Sequence, residues 1–306
     1  MSDIKSDILL VWNASVSAYV QYILGGLTIG AVYALVGLGF CIMWSAVRAV
    51  NFAHGDSLML GAVLAVVFMW SGLPLFFGIP LAIAISALFG IVLERFAVRP
   101  LNTGPAPIGW MLSTIAVGLM LEAFVTIKFG ADPRALPSPL MDRPLQILGA
   151  GIYPLELLIP VFAVLLLWAL DLFYRRTMLG RAMRAVALNP MAAGLMGIDV
   201  NKIAAVAFAA AAALGAVAGI LIAPVIQVSA TMGLLLGLKG FLVAIIAGIT
   251  HARGIVAVGL GYGVFERVVE GIASTAARDV AGFSLMIILL LLFPQGISGK
   301  TEVQKV

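Results

Sequence analysis

Six stretches of this chain carry no Asp, Glu, Lys or Arg: 8–47, 57–93, 100–121, 157–170, 203–238 and 280–299. A helix that crosses a hydrocarbon core of ~30 Å needs about 20 consecutive apolar residues. Inside lipid the backbone must also satisfy its own hydrogen bonds, which restricts spanning segments to helices or closed barrels. Only 10% of the 306 residues are charged and 63% are hydrophobic, whereas soluble domains carry about 25% charge. The expected fold class is therefore all-α, a polytopic helical membrane protein, and nucleic-acid binding is set aside.

Runs of 36 to 40 residues exceed a single span. The 57–93 run has 37 residues and is interrupted by Ser71-Gly72-Leu73-Pro74, a turn signal that makes it two spans. Reading the other gaps the same way gives spans at 19–47, 52–70, 75–95, 107–128, 153–174, 203–227, 235–250, 254–272 and 279–295. That is nine, with eight as the alternative. The pair 235–250 and 254–272 is punctuated by Gly237, Gly240, Gly248 and Gly254, a pattern that suits a broken or re-entrant helix.

The net charge of +4 is concentrated rather than spread. Arg175, Arg176, Arg181, Arg184 and Lys202 face only Asp199 between residues 175 and 202, a local excess of four. The positive-inside rule makes 175–202 a cytoplasmic loop. Alternation then puts Arg95, Arg99, Lys300 and Lys305 on the same side and the Pro-rich 130–151 segment outside. The N-terminus, with Asp3, Lys5 and Asp7, lacks the positive region of a cleaved signal peptide, so the first run is read as a retained span. One cysteine, Cys41, and two histidines, His54 and His251, point to neither a disulfide nor a metal centre.

Several motifs compete with plainer readings. Gly299-Lys300-Thr301 imitates the end of a phosphate-binding loop. Pro294 takes the place of the first glycine, however, and five residues are too few for the following helix, so no ATP hydrolysis is expected from this chain alone. Ser284 with His251 matches an intramembrane serine protease only in a three-letter motif; packing is the better reading. Gly26-x3-Gly30, Gly215-x3-Gly219 and Gly259-x3-Gly263 suit close helix packing within the chain. Glu122, Glu266 and Glu270 keep a proton- or sodium-coupled carrier open as the alternative function, although Arg267 and Glu270 are spaced to pair on one helix face.

The densest polar cluster between apolar runs is Asn51-Phe52-Ala53-His54-Gly55-Asp56, just after Arg48. It is either an interfacial turn or a gate on a substrate path, with Asn51, Phe52, His54, Gly55 and Asp56 as the candidates. In the basic loop, Asn189 and Pro190 read as the N-cap and first residue of a short helix. Ala193 and Gly197 would then form a small face one turn apart, able to dock on a partner.

Taken in order, Gly25-Gly-Leu-Thr-Ile-Gly30-Ala-Val-Tyr-Ala-Leu and Asn51-Phe-Ala-His-Gly-Asp56-Ser-Leu-Met-Leu-Gly61 resemble the opening of the LivH-type branched-chain amino acid permeases of ATP-binding cassette importers. Arg184-Ala-Val-Ala, Met196-Gly-Ile-Asp199 and Phe293-Pro-Gln-Gly296-Ile-Ser-Gly299 resemble that family's cytoplasmic loop and closing stretch. The resemblance implies one permease domain, 1–306, in the bacterial inner membrane. It further implies a second homologous permease, two cytoplasmic ATP-binding subunits and an extracytoplasmic solute-binding protein as partners, with no cofactor. Branched-chain or related amino acids, amides or urea would be the cargo. Arg184, Asn189, Ala192, Ala193 and Gly197 would couple to the ATPases. Met191 stands where the family's coupling pattern has Glu, and Asp56 where relatives often carry Glu.

Overall fold

The computed structural model describes residues 2–102 and 109–297, with side chains from residue 16 onward. Gly299, Lys300, Thr301 and Lys305 lie outside the described residues. Eleven α-helices account for nearly all of the described chain: α1 Ser2–Val47, α2 His54–Trp70, α3 Leu75–Leu93, α4 Gly109–Phe129, α5 Pro154–Arg176, α6 Met178–Leu188, α7 Pro190–Leu195, α8 Val200–Ile222, α9 Met232–Ala247, α10 Ala252–Ile272 and α11 Thr275–Leu292. The fold is an all-α, multi-pass membrane architecture.

Each span expected from the sequence falls on one helix, with shifted ends. By length and hydropathy six of them can cross a membrane: α3, α4, α5, α8, α11 and the Val16–Val47 part of α1. α2 and α9 are apolar but only 17 and 16 residues long. α10 carries Arg253, Glu266, Arg267 and Glu270.

α1 is the axis of the bundle and packs against α5, α8, α9 and α10. Its most apolar stretch is 89% buried, against 11–22% for α3, α4, α5 and α11. Those outer helices present Phe76, Ile127, Trp168 and Leu291 largely exposed, which lipid solvates and water does not. The inner helices approach through small residues. A Cβ on Gly26 or Gly30 of α1 would meet the backbone of α10 at Val264 or Gly259, and one on Gly263 would meet α1 at Gly26 and Gly30. The GxxxG motifs of α1 and α10 therefore serve intramolecular packing.

Turns follow the local chemistry. Gly72 adopts φ +82° after α2, and Leu73 N–H donates to the Phe68 carbonyl at 3.0 Å. The 130–151 segment holds a hairpin, β1 Leu145–Ile147 paired antiparallel with β2 Ala150–Ile152. Its two connecting residues, Leu148 and Gly149, both have positive φ (51° and 81°), as a type I′ turn requires. No hairpin was expected there from the sequence, because three-residue strands leave almost no alternating pattern.

Candidate functional site

The Asn51–Asp56 segment is not at the rim of the bundle. After α1 ends, Arg48 turns the backbone at φ +53° and its guanidinium donates to the Ala187 carbonyl of α6 at 3.2 Å. The chain then folds back along α1, and α2 begins beside Val36, 11 residues before Val47 and therefore about 16 Å back along the helix. This return carries the segment into the bundle instead of leaving it at the end of the first helix. It also explains why α2 is short.

Asn51 organises the return. Its side-chain oxygen accepts from Ala53 N–H at 2.9 Å, and its carbonyl accepts from His54 N–H at 3.1 Å. Asn51 is 3% exposed and His54 0%. The His54 ring donates through Nε2 to the Val36 carbonyl at 3.2 Å, which assigns the Nε2–H tautomer, because a carbonyl can only accept. Phe40 meets the ring edge-on at 4.7 Å, and among the described residues Nδ1 is buried without a partner. Phe52 N–H donates to Thr114 of α4 at 3.3 Å, and the Phe52 ring contacts Phe241 of α9 at 5.7 Å.

Gly55 is required by the crossing of α2 and α9. A Cβ there would collide with the Gly233 carbonyl and lie 2.8 Å from the Gly237 Cα. Gly233 and Gly237 meet Gly55 reciprocally. The segment is thus enclosed by α1, α4, α8 and α9, a site in the interior rather than an exposed connector.

The basic loop contains the short helix expected at Pro190. Asn189 accepts from Ala192 N–H at 3.0 Å as its N-cap. The small face is corrected: Ala193 is 4% exposed and packs inward with Ile42, Ala46, Met183 and Val186, whereas Gly197 lies beyond the helix end at φ +85° in open space. Ala192 and Arg184 are exposed. The outward surface instead carries Leu188, Met191, Leu195 and Met196, each at least 80% exposed. Asp199 caps α8 through Lys202 N–H at 3.1 Å, and that bond, with the Lys202 ammonium, holds its carboxyl below the usual carboxylate range.

A second polar centre was not anticipated. Lys239 of α9 is 1% exposed and reaches Glu266 of α10 at 2.6 Å and Asp279 of α11 at 2.9 Å. Tyr33 and Tyr262 donate to the same Glu266 carboxylate at 2.8 and 2.7 Å. Arg267 and Arg278 pair with Glu270 at 2.8 and 3.2 Å. The pairing of Arg267 with Glu270 was legible from their spacing. A lone lysine amid 36 uncharged residues on one side and 13 on the other is the signal that calls for a buried acid.

Residues 22–293 match the family described as "Branched-chain amino acid transport system / permease component". The chain belongs to this permease family. It is 32% identical over 302 residues to the high-affinity branched-chain amino acid transport system permease protein LivH of Salmonella typhimurium, covering 94% of this chain and 98% of that protein. Identity to the corresponding protein BraD of Pseudomonas aeruginosa is 33% over the same shares. Among solved structures, PsaBC from Streptococcus pneumoniae in complex with Fab superposes with a TM-score of 0.50 over 90% of this chain and 91% of that one, at 12% identity, a likeness of fold. The permease family match covers α2, the basic loop and the Lys239 centre alike. Ser284 and His251 are both exposed, and no hydrogen bond joins them among the described residues.

Proposed function

We propose that this permease is the membrane subunit of an ATP-binding cassette importer for branched-chain or related amino acids, in a bacterial inner membrane. The single observation that carries the reading is the full-length similarity to the Salmonella and Pseudomonas permeases, whose names assign them to high-affinity branched-chain amino acid transport. Residues 1–306 act as one permease domain beside a second homologous permease. Residues 175–202 face the cytoplasm and two ATP-binding subunits, while 130–151 face the solute-binding protein. ATP hydrolysis belongs to the partner subunits.

In this reading the ATPases grip α7 through Met191, Leu195 and Met196, apolar side chains that a cytoplasmic loop without a partner leaves in water. Arg184 adds charge beside them. Arg48, bonded to α6, carries the displacement to the Asn51–Asp56 return, which gates the path. Such coupling requires that the ATPases contact the two states differently. Glu266 and Glu270 are saturated by cations and hydroxyls, which leaves little for a proton-coupled alternative at that centre.

Reconstitution with the four partner components tests the reading. Leucine uptake into proteoliposomes is expected only with ATP in the compartment of the ATPases. Uptake driven by a proton or sodium gradient without ATP would replace the importer with a secondary carrier.

A further inference from the structure

Beside the Asn51–Asp56 return lies a cavity of about 210 Å³ between α1, α2, α4 and α9. Its wall is mostly apolar, and three rings dominate it: Phe40 and Phe241 have centroids 5.1 Å apart, and Phe52 and Phe241 5.7 Å. Two acids interrupt this lining, Asp56 from the first turn of α2 and Glu122 from α4. Among the described residues, no lysine, arginine or histidine lines the cavity.

Asp56 is 7% exposed, yet among the described residues no hydrogen bond or ion pair reaches its carboxylate. It is positioned by backbone instead. A Cβ on Gly118 of α4 would collide with Oδ2, and one on Gly233 of α9 would lie 3.1 Å from Oδ1. The N-terminal turn of α2 favours the anion. Burying an anion with no counterion is costly, and a second carboxylate from Glu122 makes the cavity more negative still. Every other buried acid here is paired: Glu94 with Arg99, Glu266 with Lys239. A carboxyl so placed is neutralised either by a proton or by a cation from outside the chain, and the second route is the one a ligand can use.

The chemistry of the wall selects its class. A hard metal ion needs six or more oxygen ligands or retained water, which three phenyl rings do not supply. An ammonium on an aliphatic chain matches both features, with its charge against Asp56 and the ring faces and its alkyl part against the apolar wall. We propose that this cavity binds a primary ammonium carrying a branched aliphatic chain, with Asp56 as its ion-pairing partner and Glu122 as a supporting charge. The proposal rests on the amino-acid transport reading above and adds to it the group that is recognised. The lining offers no cationic donor for a carboxylate, so the wall recognises the ammonium and the aliphatic chain alone.

Two probes each carry half of leucine's polar groups: 3-methylbutylamine has the ammonium, 4-methylpentanoate the carboxylate. Calorimetric binding to the purified permease–ATPase complex is expected for the amine and absent for the acid. Asp56→Asn is expected to weaken amine binding at least tenfold, Glu122→Gln several-fold, and Asp56→Glu little. Should Asp56→Asn fail to assemble, the partly exposed Glu122→Gln carries the test. The site is refuted by an amine that does not bind, by an acid that binds equally, or by amine binding unchanged in Asp56→Asn, or in Glu122→Gln where that variant stands in. Equal loss in Asp56→Asn and Asp56→Glu refutes the ion pair as well. Persistent ATP-dependent leucine uptake alongside any of these sinks the site alone; lack of such uptake in the wild type sinks the transport reading beneath it.

Discussion

Lys239 Nζ lies 2.6 Å from Glu266 Oε1, and both side chains are 1% exposed, so α9 and α10 are joined by an ion pair sealed from solvent and lipid. Asp279 extends the pair to α11, and Tyr33 ties it to α1. Four helices thus meet at one charge.

Breaking the pair from one side is expected to be costly. Removing one partner of a buried pair typically costs about 3–5 kcal/mol, while replacing both is far milder. Lys239→Met is expected to lower the unfolding temperature of the purified complex sharply, and Lys239→Met with Glu266→Gln to recover part of it. Equal unfolding temperatures for wild type and Lys239→Met would contradict the buried geometry.

The Asn51 and His54 bonds are expected to matter for coupling as well as for stability. Each buried hydrogen bond lost costs about 1 kcal/mol, a several-fold shift between open and closed states. Asn51→Ala and His54→Ala should assemble with their partners yet transport less leucine per ATP. The stability loss is not diagnostic, because these residues are buried. The ratio of uptake to ATP hydrolysis is, and a wild-type ratio in both variants removes the gate.

Gly197 separates two accounts of the coupling loop. With φ +85° and open space around its Cα, it ends α7 by conformation, and any L-residue with a Cβ pays about 1–2 kcal/mol there. Gly197→Ala and Gly197→Leu are therefore expected to reduce coupled transport to a similar degree, with Gly197→Asn milder. A small docking face would make Leu far worse than Ala. Leu195→Asp, which leaves the cap intact, is expected to abolish co-purification with the ATPases.

Topology is open to direct labelling. Cys41 is the sole cysteine and is 7% exposed, so a background lacking it requires one substitution. A cysteine at Arg181 is expected to resist an impermeant thiol reagent applied outside whole cells and to react in inverted vesicles. Modification from outside would reverse the orientation of the 175–202 loop.

What the sequence determined by itself is what depends on neighbours along the chain. Uncharged runs specify helices because lipid leaves the backbone no other partner. Ser71-Gly72-Leu73-Pro74 specifies a turn, Asn189 with Pro190 a helix start, and Arg267 with Glu270 a pair on one face. Tertiary structure alone decided what depends on approach between distant segments. The return of residues 48–54 along α1 hangs on His54 reaching Val36 and on three glycines letting α2 touch α9, neither of which leaves a local pattern. The same holds for Lys239, whose acids are 27 and 40 residues away, and for Ala193, whose inward direction is set by Ile42 and Met183. A charge in an apolar run announces that a partner exists; only packing, where a bare carboxylate or ammonium cannot persist, selects which one.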